Sequence, residues 1–143
     1  MVDRTAEAEW RGGLEDGSGT IAVGSGAFRG AYSFRTRFGN EPGTNPEELI
    51  GAAHAGCFSM AFALLLGQAG FVPQRIHTTA KVSIEQQDGG FAITRIRLDT
   101  QGAVSGLTEA RFREIAEAAK QNCPVSRALA GTRIELGARL LGS

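Results

Sequence analysis

Between Thr44 and Gly70 the sequence leaves the chain little freedom. Asn45 suits a helix N-cap, Pro46 the first helical position, and Glu48 the spacing of a capping box. Glu47 and Glu48 favour the positive end of the helix dipole. The helix should run to about Gln68, where Gly70 and then Pro73 stop it. Within it, Leu49 to Leu66 is apolar or small except at His54 and Ser59. That length is near the lower limit for a membrane span. However, the flanks are Glu47-Glu48 and Gln68 rather than basic anchors. Gly51, Ala52, Ala53, Ala55 and Gly56 would let another backbone approach closely. These features predict the central helix of a soluble domain, packed on most sides.

The other elements arrange themselves around it. Glu7–Arg11, Thr20–Val23 and Ala31–Phe38 read as short alternating strands separated by glycines. In the third, Arg35 and Arg37 share a face opposite Tyr32, Phe34 and Phe38. Thr78–Glu85 alternates, Asp88-Gly89 signals a hairpin, and a strand through Leu98 follows. Thr108 caps a helix with the stripe Phe112, Ile115, Ala116 and Ala119. Cys123-Pro124 opens a short helix ended by Gly131, and Thr132–Leu141 is a last strand. The order predicts one α+β domain over residues 1–143.

The 15 basic and 15 acidic residues cancel, and no basic block stands out. A dedicated nucleic-acid binder is therefore not expected. The first residues carry no apolar stretch of a signal peptide, so the expected location is cytoplasmic, with thiols mostly reduced. No membrane partner is expected. No ligand spacing suggests a metal, and no phosphate loop or nucleophile elbow is present, so no cofactor is expected.

Chemistry then rests on two cysteines, Cys57 and Cys123. By local rules Cys123 is the more reactive, because the free amides of a helix start stabilise a thiolate. Cys57 lies mid-helix, where an apolar neighbourhood raises a thiol's pKa. It needs a cation from elsewhere, and Arg35 and Arg37 are candidates. His54, one turn before Cys57, could serve as a base or be a packed, hydrogen-bonded histidine.

The run TNPEELIGAAHAGCFSMAFALLLGQAGF (Thr44–Phe71), followed by NCPVSRAL (Asn122–Leu129), closely resembles the OsmC/Ohr family of bacterial thiol peroxidases. YSFRTRF before the helix and GFAITRIRL after it extend the resemblance to essentially the whole chain. The histidine before Cys57 and the Cys-Pro-Val-Ser form match the OsmC branch, although Gly56 replaces an expected alanine.

The resemblance implies an OsmC-like fold, with antiparallel strands wrapped around the small-residue helix in an intertwined homodimer. It makes Cys57 the peroxidatic cysteine and Cys123 the resolving one. Arg37 would face the reactive sulfur and Glu47 would orient that arginine. Organic hydroperoxides would be the preferred substrates, with hydrogen peroxide used less well. A dithiol of lipoyl type would be the reductant. The alternatives are a cysteine hydrolase using Cys57 and His54, and a non-enzymatic redox sensor or ligand-binding protein on the same fold.

Geometry adds one constraint. Glu47 and Cys57 are ten residues apart, about 15 Å of rise on a straight helix. One arginine side chain spans roughly half of that. A shared site requires a sharply bent helix or a second chain.

Overall fold

The computed structural model describes residues 1–142. The chain divides into two compact units, Met1–Leu49 and the remainder from Ile50 onward.

The first unit opens with a three-stranded antiparallel sheet in the order β1 (Ala6–Arg11), β2 (Ser18–Val23) and β3 (Arg29–Tyr32). The predicted strand over Ala31–Phe38 is not formed. β3 stops at Tyr32, and α1 (Phe34–Phe38) begins at once. Ser33 is the cause: its hydroxyl accepts from the Thr36 N–H, while the Thr36 hydroxyl accepts from the Ser33 N–H. This reciprocal cap overrides the alternation that suggested a strand. Arg35 and Arg37 therefore stand on a helical turn and not on one strand face. The buried residues of this unit are Thr36, Thr44, Asn45 and Glu47, all polar.

α2 (Pro46–Gln68) begins in the first unit and continues into the second. Its start is as expected, with Asn45 Oδ1 accepting from the Glu48 N–H at 2.8 Å. Gly70, at φ 92°, turns the chain out of it.

The second unit pairs β4 (Pro73–Gln87) with β5 (Gly90–Val104) in a long antiparallel hairpin. Asp88 and Gly89 have φ of 46° and 82°, the left-handed pair that a two-residue hairpin turn needs. α3 (Glu109–Asn122) and α4 (Pro124–Ala128) follow, and β6 (Arg133–Leu141) returns. β6 joins β5 in parallel, so this sheet is mixed rather than wholly antiparallel.

The hydrophobic core belongs to this unit. Phe58, Phe62 and Leu66 of α2 meet Ile96, Leu98 and Val104 of β5 and Phe112, Ile115, Ala116 and Ala119 of α3. Gly102 permits the close approach: a Cβ there would lie 2.7 Å from the Phe112 ring.

The expectation that α2 is packed on most sides is corrected. Only 28% of its most apolar stretch is buried. Ala52, Ala53, Gly56, Met60, Leu64 and Gly67 are exposed along one face, with Met60 at 77% and Leu64 at 60%. By length and composition alone α2 could cross a membrane. Its opposite face, however, holds the core phenylalanines against β5 and α3.

Candidate active site

The chemistry-bearing residues form two clusters, one in each unit. In the first, the Ser33 cap fixes α1, and Asn45 Nδ2 donates to the Thr36 carbonyl at 3.1 Å. These bonds tie α1 to the start of α2. Arg37 and Glu47 are thereby brought together: Nη2 donates to Oε1 at 2.7 Å, and Nε donates to Oε1 at 3.0 Å and to Oε2 at 3.2 Å. Glu47 is buried and the guanidinium is partly open, so the carboxylate orients a cation that keeps free N–H donors. Arg35 lies on the same turn, exposed and outside this ion pair. The distinction between the two arginines could not be made from sequence physics. It depends on α1 being a helix, which places Arg37 but not Arg35 beside Glu47.

A cavity of about 250 Å³ opens next to Arg37, walled by Trp10, Leu14, Tyr32, Phe34 and Phe38. The guanidinium carbon also lies 5.3 Å from the Phe38 ring centre, a cation–π distance. Trp10 and Leu14 were not singled out from the sequence. Their place follows from the β1–β2 hairpin, which Trp10 begins to close through its indole N–H to the Gly12 carbonyl.

The second cluster joins α2 to α4. Cys123 is fully buried, and its Sγ donates to Cys57 Sγ at 2.9 Å. Both thiols are free, and 66 residues separate them (123 − 57). α4 starts at Pro124 as expected, with Cys123 as its N-cap. The Cys123 side chain makes no capping hydrogen bond. The Val125 N–H instead donates to the sulfur of Cys57. The amide at the start of α4 thus serves the thiol of the other helix, which no local rule could indicate.

His54 is fully buried, and its Nε2 lies 2.7 Å from Ser126 Oγ. Burial lowers its pKa from the ordinary histidine value. The packed, hydrogen-bonded reading of His54 therefore describes it better than a base for Cys57. Ser126 was missed, although its offset of three residues from Cys123 mirrors that of His54 from Cys57.

Burial is the largest influence on Cys57 and raises its thiol pKa above the ordinary value. The neighbouring Cys123 thiol raises it further, because two sulfurs so close disfavour a thiolate on Cys57, while the Val125 amide opposes this. None of these influences is a cation. Among the described residues of the second unit, those that act on Cys57 supply proximity and one amide, but not the positive charge that would favour a thiolate.

The profile of the OsmC-like protein family matches residues 39–137. The chain is 50% identical over 129 residues to the peroxiredoxin OsmC of Escherichia coli K12, covering 90% of both chains. It is 34% identical over 90 residues to the organic hydroperoxide resistance protein of Xanthomonas axonopodis pv. citri, covering 62% of this chain and 61% of that one. It also aligns with the solved structure of an organic hydroperoxide resistance protein from Elizabethkingia anophelis at a TM-score of 0.71. That pair is 27% identical, and the alignment covers 97% of this chain and 96% of the other. By sequence profile, by close relative and by fold, this chain belongs to the OsmC-like protein family.

Proposed function

We propose that the chain is a cysteine-based peroxidase that reduces organic hydroperoxides to alcohols. The observation that carries this reading is the pair of free sulfurs 2.9 Å apart, one from each of the chain's two cysteine motifs. The names of the relatives, a peroxiredoxin and an organic hydroperoxide resistance protein, favour it independently.

In this mechanism the Cys57 thiolate attacks the distal peroxide oxygen. The O–O bond breaks, Cys57 becomes a sulfenic acid, and the departing alkoxide takes a proton to leave as the alcohol. Cys123 then attacks the oxidised sulfur, water leaves, and the Cys57–Cys123 disulfide forms. An external dithiol, proposed to be of lipoyl type, restores both thiols by exchange. Arg37, oriented by Glu47, holds the peroxide and stabilises the departing oxygen. The apolar cavity beside Arg37 takes the alkyl group.

Ionisation alone is insufficient. A thiol at pKa about 8.5 is a few per cent ionised at neutral pH, so full ionisation gains at most roughly thirty-fold. The guanidinium must contribute beyond that.

We propose further that the active form is a homodimer in which Arg37 of one protomer serves Cys57 of the other. α2 is unbroken from Pro46 to Gln68, which favours a second chain over a sharp bend as the route from Glu47 to Cys57. The open face of Met60, Leu64, Ala52 and Ala53 suits a second copy of the helix. The family match spans residues 39–137, across the division at residue 49, which favours treating both units as one domain. A cytoplasmic location is proposed with the same reading.

The test is thiol titration before and after one equivalent of an alkyl hydroperoxide. Loss of two thiols with no cross-link between chains is expected, followed by steady turnover when a dithiol is added. Loss of thiols without turnover would make the chain a sensor. Retention of both thiols would overturn the peroxidase reading.

A further inference from the structure

His54 and Ser126 are a buried polar pair that the proposed chemistry leaves unused. His54 is fully buried and Ser126 is 5% exposed. Only one ring nitrogen of His54 recovers a partner, because Nδ1 has none among the described residues. An apolar side chain would fill the same space without burying a polar atom unpaired.

The position of the pair gives it a role. His54 precedes Cys57 by three residues and Ser126 follows Cys123 by three (57 − 54 = 3; 126 − 123 = 3). α2 and α4 therefore meet at two rungs one turn apart, Cys57 with Cys123 and His54 with Ser126. α4 has only five residues and no side-chain cap. So short a helix does not persist by its own hydrogen bonds, and tertiary ties must hold it.

We infer that the His54–Ser126 hydrogen bond is a latch that keeps the Cys123-bearing turn docked on α2. It thereby sets how often oxidised Cys57 closes to the disulfide rather than being over-oxidised. The inference rests on the peroxidase reading above. In closure the Cys123 sulfur attacks the sulfenic Cys57 sulfur. The S–O bond breaks, the S–S bond forms, and the hydroxyl leaves as water with the Cys123 proton. From 2.9 Å the sulfurs need only close to about 2.05 Å. If α4 undocks, a second hydroperoxide reaches the sulfenic acid first and oxidises it to sulfinic acid, releasing a second alcohol. His54 and Ser126 are thus positioning residues for resolution and take no part in the attack on peroxide.

Rapid mixing with an alkyl hydroperoxide, with mass spectrometry of quenched samples, separates sulfenic acid formation from disulfide closure. Ser126→Ala should slow closure about ten-fold and raise the sulfinic fraction per turnover by a similar factor, while slowing Cys57 oxidation less than about three-fold. The double variant H54A/S126A should close no more slowly than H54A alone, because both remove one bond. Should S126A not fold, His54→Gln, which keeps a donor for Ser126, should close within about three-fold of wild type, and His54→Leu should not. Wild-type closure in S126A, additive slowing in the double variant, or equal closure in H54Q and H54L would each overturn the latch. A wild-type protein that forms no sulfenic acid at Cys57 would instead overturn the peroxidase reading.

Discussion

The start and the middle of α2 sit in opposite kinds of surroundings. At its start, the first unit buries only polar residues and holds them with hydrogen bonds: Ser33 to Thr36, Asn45 to Thr36, and Arg37 to Glu47. Ten residues on, the second unit buries phenylalanines, isoleucine and leucine, and sets two thiols among them. The first has charge without a nucleophile. The second has a nucleophile whose pKa is pushed the wrong way. This division of polarity along α2 is what the proposed pairing of Arg37 from one protomer with Cys57 from the other would overcome.

The comparison can be broken first at the cation. Arg37→Ala should lower turnover about 100-fold or more, since it removes peroxide positioning and charge stabilisation together. A loss below about ten-fold in steady-state assays would return Arg37 to a structural role. Arg35→Ala, which leaves the Glu47 pair intact, should cost far less.

A second cut is at the open face of α2. Leu64→Asp places a charge among Met60, Ala52 and Ala53 on the surface proposed for the partner. It should yield a monomer by analytical ultracentrifugation, with most activity lost while the fold persists by circular dichroism.

The third prediction concerns the thiol itself. Thiolate absorbance against pH should show Cys57 of R37A titrating above the ordinary thiol value, the direction that burial imposes in the second unit. In wild type the midpoint should fall below that value, because the cation favours the anion. Equal midpoints would remove the electrostatic part of the account.

The smallest effect belongs to His54. Burial lowers its pKa, so the unfolded chain takes up a proton first as pH falls. The stability contribution is therefore full above the ordinary histidine value of about 6.5 and is lost as pH drops towards the folded value. Urea melts at a series of pH values should show this loss in wild type and not in H54Q.

Where the signal was local, the chain was readable. Asn45-Pro46, Asp88-Gly89 and Thr108 placed element boundaries through caps and turns that act over a few residues. The stripe Phe112, Ile115, Ala116 and Ala119 gave the core face of α3 for the same reason. The failure over residues 33–38 was also local: two opposed signals were present, and the Ser33-Thr36 cap won over aromatic alternation. The site was legible only in part. Motif resemblance picked Cys57, Cys123, Arg37 and Glu47, whereas local rules preferred Cys123 as the nucleophile. Those rules could not foresee that the α4 amide turns towards Cys57, because that depends on how two distant segments dock. The open face of α2 was invisible for a similar reason, since periodicity reports which residues are apolar and not which of them the same chain covers.

The most direct test of the central claim uses two inactive proteins. C57S keeps Arg37, and R37A keeps Cys57. If Arg37 of one protomer serves Cys57 of the other, mixing and subunit exchange creates heterodimers with one complete site each. Half of all dimers are then heterodimers with one site of two, so activity should recover to about one quarter of wild type. No recovery, with exchange verified by native mass spectrometry, would contradict the account.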